Sequence, residues 1–281
     1  MNEAAASMEH TDIVVGVDGS VHAVRAADWA AEQARLERRA LLVVNVGDET
    51  SQVAVDLAAA LRRRHADLDV RPLTLPGEPR QVLLDLSERA ALLVVGSRGR
   101  GALKSLLLGS VSAALSASAA CPLVVCRPDG EQTPERGVLV GADGTPESVP
   151  VLEFAYRHAA LHHLPLTVLH CFWDAAAAVA EYRRARGEVH EPPELEDLHL
   201  TVAESLAGLA EQYPDVPVTV TLKHGLADEA LAPRHDGWDL VVVGRHPMDS
   251  LSRLLVGSIA TTVVERSRST VAVVPQQSSE A

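Results

Sequence analysis

Apolar positions fall in two registers along this chain. Short continuous runs such as Ile13–Val17, Leu41–Val46 and Leu92–Val95 alternate with longer stretches in which Ala, Leu and Val recur every three or four residues. The runs predict strands buried on both faces, and the stretches predict amphipathic helices laid over them. In the first part of the chain the pattern places strands near residues 13–17, 41–46, 70–75, 92–96 and 123–126, with helices near 21–38, 52–65, 79–89 and 110–119. In the second part it places strands near 138–142, 166–170, 216–222, 240–244 and 271–274, with helices near 147–161, 194–212, 226–233 and 258–267. Regular strand–helix alternation predicts βαβ units and a mainly parallel sheet. On the first helix Val24, Ala27, Ala31 and Ala34 form the stripe expected to face that sheet.

The two parts repeat one another. Val15-Gly16-Val17-Asp18-Gly19-Ser20 returns as Val140-Gly141-Ala142-Asp143-Gly144-Thr145, so Asp18 and Asp143 lie 125 residues apart. Further on, Gly96 pairs with Gly244 and Gly109-Ser110 with Gly257-Ser258, now 148 residues apart, as are Gly77 and Gly225. The larger spacing requires an insertion in the second copy upstream of Gly225. The organisation expected is therefore a first domain over residues 1–128, a linker over 129–136 rich in Pro, Gly and charge, and a second domain over 137–281 with an insertion near 172–193. The insertion reads as a surface excursion, or as a lid over the second site.

Composition narrows the function classes. With 25 basic against 38 acidic residues the net charge is −13, which disfavours nucleic acid, whose binding rests on neutralising phosphates. No run of 18 apolar residues suggests a membrane span, and Met1 to Asp12 does not read as a signal peptide, so the expected location is cytoplasmic. Cys121, Cys126 and Cys171 form no CxxC pair and read as buried reduced thiols. Only 3% of residues are aromatic, so the core is built from Val, Leu, Ile and Ala. Arginine greatly outnumbers lysine, as high-GC bacterial genomes favour.

The chemistry-bearing segments sit at the carboxyl ends of expected strands, where open α/β sheets bind ligands. One strand ends in Asp18-Gly19-Ser20. Another ends at Gly96 and runs through Arg98 and Gly99 to Gly109-Ser110, where a helix starts. Glycines admit close approach of backbone, a helix amino end offers unpaired N–H groups, and Arg98, Ser110 and Ser112 can donate, which together suit a phosphate. The structural alternative is that the glycines are turn residues, Ser110 an N-cap and Asp18 a cap of the first helix.

The spacing Gly96-x2-Gly99-x9-Gly109-Ser110 resembles the nucleotide-binding signature of the universal stress protein family, and Val15 to Ser20 resembles that family's opening strand. The resemblance covers nearly the whole chain in two tandem copies, the actinobacterial arrangement. It implies two open parallel sheets of order 3-2-1-4-5 with helices on both faces, an adenine nucleotide alpha-hydrolase-like α/β fold. It further implies ATP held by Asp18 and backbone near Val46 on the nucleoside side, with Gly96, Arg98, Gly99, Gly109, Ser110, Val111 and Ser112 around ribose and phosphates. Mg2+, where present, would sit mainly on phosphate oxygens and water. The last strands, 123–126 and 271–274, are expected to meet edge to edge in an intramolecular pseudo-dimer; a homodimer and a regulatory protein partner stay open.

The second copy departs from the signature. Pro247 stands where Gly99 stands in the first, removing an N–H, so Asp143, Gly244, Gly257 and Ser258 are expected to form a degraded site that binds weakly or not at all. No nucleophile elbow, Walker lysine or catalytic carboxylate pair appears, so no catalytic residue is assigned. The function expected is a nucleotide-dependent stress-response sensor or regulator. The alternatives are a scaffold with vestigial nucleotide sites and a slow ATPase. His158 and His162, four apart on one helix, lack a glutamate partner and read as a polar helix face rather than a metal site.

Overall fold

The computed structural model describes residues 12–99, 108–127, 136–172, 195–232, 237–245 and 259–276. The first half runs β1 (Ile13–Val17), α1 (Val21–Glu37), β2 (Leu41–Val46), α2 (Val53–Arg64), β3 (Val70–Leu75), α3 (Pro79–Ser87), β4 (Leu92–Gly96), α4 (Ser110–Ser118) and β5 (Leu123–Cys126). The second runs β6 (Val138–Gly141), a 3-10 turn (Pro146–Ser148), α5 (Val149–His162), β7 (Leu166–Phe172), α6 (Leu195–Gln212), β8 (Val218–His224), α7 (Ala227–Leu231), β9 (Leu240–Arg245), α8 (Ile259–Arg266) and β10 (Val271–Pro275).

Ten strands form one sheet in the order β3-β2-β1-β4-β5-β10-β9-β6-β7-β8. Neighbours within each half are parallel, and each half has the 3-2-1-4-5 order. Among the described residues the single antiparallel pair is β5 with β10, where Val125, Val124 and Leu123 face Val271, Ala272 and Val273. This pairing joins two edges that would otherwise be exposed apolar strands.

Alternate strand residues feed two cores. Ile13, Val15 and Val17 pack under α1 and α2, and the same face continues across the second half under α5 and α6. Val14, Leu42 and Val44 pack under α3 and α4, with α7 and α8 continuing that face. Helices on both faces account for the unbroken apolar runs in the central strands. On α1 the buried stripe is Ala23, Ala26, Ala27, Ala30, Ala31 and Ala34. Val24, expected to face the sheet, is exposed; alanine at six positions lets the helix lie close to the sheet, rotated so that Val24 points away.

The two halves also meet through their helices. Trp29 of α1 stacks on His158 of α5 with centroids 5.8 Å apart, and His158 stacks on His162 at 4.1 Å. His162 Nε2 lies 2.9 Å from Gln33 Oε1, and Arg157 approaches Glu37 at 3.8 Å. His158 is therefore buried in the interface rather than part of a polar face. On the opposite sheet face α4 packs against α8. The helix expected over 147–161 opens as a 3-10 turn, because Pro150 lacks the N–H that an α-helix would bond to the Pro146 carbonyl. The insertion, the linker through residue 135 and the segment 246–258 lie outside the described residues.

Candidate functional site

Strand order reverses between β1 and β4, since β2 flanks β1 on the other side. Crossovers leaving these strands in opposite directions open a crevice at their carboxyl ends. A cavity of about 390 Å³ lies there, within the range of roughly 300–1,000 Å³ usual for small-molecule sites. Asp18, Val46, Gly96, Arg98, Gly99, Gly109, Ser110, Val111 and Ser112 all line it. The structure thus gathers every residue expected at the first-half site.

At the end of β1 the chain turns through Gly19, whose φ of 80 is one that glycine adopts without strain. Ser20 caps α1, its Oγ accepting from the Ala23 amide at 3.2 Å. Asp18 is not the helix cap. Its Oδ1 accepts from the Ser20 amide at 2.9 Å, which fixes the carboxylate at the cavity wall. Its Oδ2 lies 2.6 Å from where a Cβ on Gly99 would stand, so Gly99 leaves room for this carboxylate. Asn45, which the sequence reading passed over, donates from Nδ2 to the Val17 carbonyl at 2.8 Å and ties the end of β2 to the end of β1. That bond sets the spacing between Val46 and Asp18. In the second half His170 Nδ1 lies 2.9 Å from the Ala142 carbonyl at the equivalent place.

The opposite wall is the start of α4. Gly109, not Ser110, is its N-cap, with φ −78 and ψ 155, and no side chain among the described residues caps this end. The Gly109 amide donates to the Ser97 carbonyl at 2.8 Å. The amides of Ser110, Val111 and Ser112 belong to the helical turn whose N–H groups have no partner within the helix. Ser112 has a different role from the one expected: its hydroxyl donates to the Gly96 carbonyl at 2.8 Å. Its one proton is engaged in locking α4 onto β4. Ser110 stays exposed at the cavity.

This end of the cavity is electropositive within a chain of charge −13. The Nε of Arg98 is shielded from solvent and has no hydrogen-bond partner, and the same holds for Ser97 Oγ and His22 Nδ1. Burial, then the cations of Arg98 and Arg25, hold His22 below its ordinary pKa, against a smaller opposing pull from Asp18. Burial first, and then Arg98, push Arg127 down to about 10. Of these residues Arg98 lines the cavity, and its guanidinium beside the amino end of α4 forms a surface complementary to an anion. The remaining lining is largely apolar, with Val44, Val46, Leu83, Leu108 and Val111 offering faces for a flat ring.

The second half keeps the turn but not its setting. Asp143 Oδ1 accepts from the Thr145 amide at 2.9 Å and its hydroxyl at 2.7 Å, and Asp143 is exposed. A Cβ on Gly244 would stand 2.8 Å from Gln276 Nε2, so a glutamine side chain lies over this glycine where Gly96 meets the backbone of His22. Gly257, Ser258 and Pro247 lie outside the described residues.

The sequence pattern of the universal stress protein family matches residues 48–127 and again 136–275. The chain belongs to the universal stress protein family. A universal stress protein of Mycobacterium tuberculosis is 32% identical over 94% of this chain and 97% of its own length. One from Mycolicibacterium smegmatis is 30% identical over 93% and 96%. The crystal structure of a universal stress protein from Archaeoglobus fulgidus superimposes with a TM-score of 0.65 at 18% identity, covering 97% of this chain and 98% of that one, which establishes the shared fold. All three cysteines are free; Cys121 and Cys126 are buried as expected, Cys171 at the end of β7 is only half-buried, and burial pushes the Cys121 thiol up to about 12. Among the described residues no helix is long and apolar enough to cross a membrane, and no group of three His, Cys, Asp or Glu gathers as metal ligands.

Proposed function

We propose that the first half binds an adenine nucleotide, ATP, and that the chain acts as a nucleotide-dependent sensor or regulator in a stress response. The observation that carries this reading is the uncapped start of α4, at Gly109, facing the same cavity as Arg98 and Asp18. Polyphosphate would lie against the Ser110 and Val111 amides and the Arg98 guanidinium, ribose near Asp18, and the base among the valines at the end of β2. Asp18 is the one acid among the described lining residues. It fits a Mg2+ ion that arrives on the phosphates and keeps a water shell better than a dedicated protein metal cage.

The described lining contains no histidine, cysteine or second carboxylate to act as nucleophile or general base. Hydrolysis is accordingly slow and incidental in this reading, and the nucleotide serves as a signal. The Gln276 side chain over Gly244 supports the view that the second site is degraded. Heat-releasing ligand from freshly purified protein and identifying it by mass spectrometry tests the reading. ATP or AMP is the expected product. Clean apo protein that also fails to take up added ATP would instead favour a scaffold with vestigial sites.

A further inference from the structure

Two arginines cross the seam between the halves in a reciprocal manner. Arg127, directly after β5, donates from its guanidinium to the Val264 carbonyl and, at 3.0 Å, to the Glu265 carbonyl in the last turn of α8. Arg245, the last residue of β9, donates at 2.5 Å to the carbonyl of Ala119, the C-cap of α4. Each half thus holds the carboxyl end of a helix belonging to the other. α4 and α8 lie packed together between these contacts.

The position of Arg245 gives the contact its meaning. It follows Gly244, as the buried Ser97 follows Gly96 in the first half. The second copy's glycine segment therefore sends an arginine across the seam. That arginine ends on α4, nine residues long and so about 13 Å from end to end, whose other end forms the anion-facing wall of the first cavity. The Arg245 cation lies at the carboxyl end of α4, where it complements the negative end of the helix dipole. It also fixes the helix along its axis, which sets where the Ser110 and Val111 amides stand.

We infer that Arg245 of the second half is a positioning residue for the anion site of the first half, so that the nucleotide pocket is complete only with both halves docked. The inference rests on the nucleotide-binding reading and adds the second half as a working part of that site. The degraded copy keeps a role: its glycine segment no longer cradles a phosphate of its own and instead braces the helix that does.

The test uses the full chain. ATP affinity and amide exchange at the start of α4 are measured in wild type, Arg245→Ala, Arg245→Lys and Arg266→Ala. The last variant breaks an exposed 2.9 Å pair with Asp228 at the end of α8, the helix packed on α4, and controls for general loosening of that packing. Arg245→Ala should weaken ATP binding about tenfold, inside the range for residues that act on a site without touching its ligand, and speed exchange in the first turn of α4. Arg245→Lys should restore most of the affinity, and Arg266→Ala should change neither readout. Arg245→Gln, which keeps amide donors without the charge, should fall between lysine and alanine and carries the test if alanine unfolds the chain. Folded Arg245→Ala or Arg245→Gln with wild-type affinity would overturn the inference and leave the nucleotide reading standing. Equal losses in Arg245→Ala and Arg266→Ala would also overturn it. A wild-type chain that binds no ATP would overturn both.

Discussion

Three glycines in one motif have three different reasons to be glycine. A Cβ on Gly96 would meet the backbone carbonyl of His22 at 2.8 Å, one on Gly99 would meet the Asp18 carboxylate at 2.6 Å, and one on Gly109 would meet nothing closer than 3.5 Å. Gly96 is therefore required by the packing of α1 on β4, and Gly99 by the placement of Asp18. Gly109 has backbone angles any residue can adopt, so its missing side chain serves the space in the cavity rather than the fold. Gly96→Ala should cost about 1–3 kcal/mol of stability, as overpacking against backbone does. Gly109→Ala should stay within about 1 kcal/mol of wild type, the small cost of changing an N-cap glycine. Urea unfolding of the two variants checks the contrast, and equal losses would contradict it. The sequence shows all three glycines alike; only the neighbour each one meets separates their roles.

At the scale of elements, most of the architecture was legible because strand runs end at turn residues and helices end where their apolar period stops. The 125- and 148-residue offsets locate the repeat from the sequence alone. What was not legible were contacts between distant elements: the Asn45 bond that sets two strand ends, the rotation of α1 that exposes Val24, and the engagement of the Ser112 hydroxyl. The helix pair α1 and α5 is a further case. His158 reads as polar in sequence, but burial, with His162 and Arg157 adding, pushes it down to about 3. Burial also lowers His162, opposed by Glu32, Asp239 and Glu37. A histidine kept neutral in the fold but protonated when unfolded contributes stability that is fully present above pH 6.5 and is lost as pH falls towards 3. The slope is about 1.4 kcal/mol per pH unit, so His158 should account for about 2 kcal/mol of lost stability between pH 7 and 5. His158→Phe keeps a ring against Trp29 and should flatten that part of the pH profile. An acid profile unchanged by the substitution would show that His158 is not the group responsible.

At the scale of the whole molecule, two copies of one design differ in the chemistry at their strand ends. The antiparallel β5–β10 pair makes a single ten-stranded sheet, and the helices on either face carry contacts from one half to the other. The asymmetry that Pro247 suggested in sequence has a second expression in the structure, where Gln276 lies over Gly244 and Arg245 reaches out of the second half altogether. In a chain with 38 acidic residues the first half still gathers donors at one helix end beside Arg98, the setting the proposed nucleotide site needs. The central claim is that this cavity holds one ATP per chain. Calorimetric titration of the full chain with ATP and Mg2+, beside the Gly109→Val variant, measures that directly. One site per chain in the wild type, lost or weakened at least tenfold in a folded Gly109→Val, is the predicted result; no binding by the wild type, or binding untouched by valine at position 109, would contradict it.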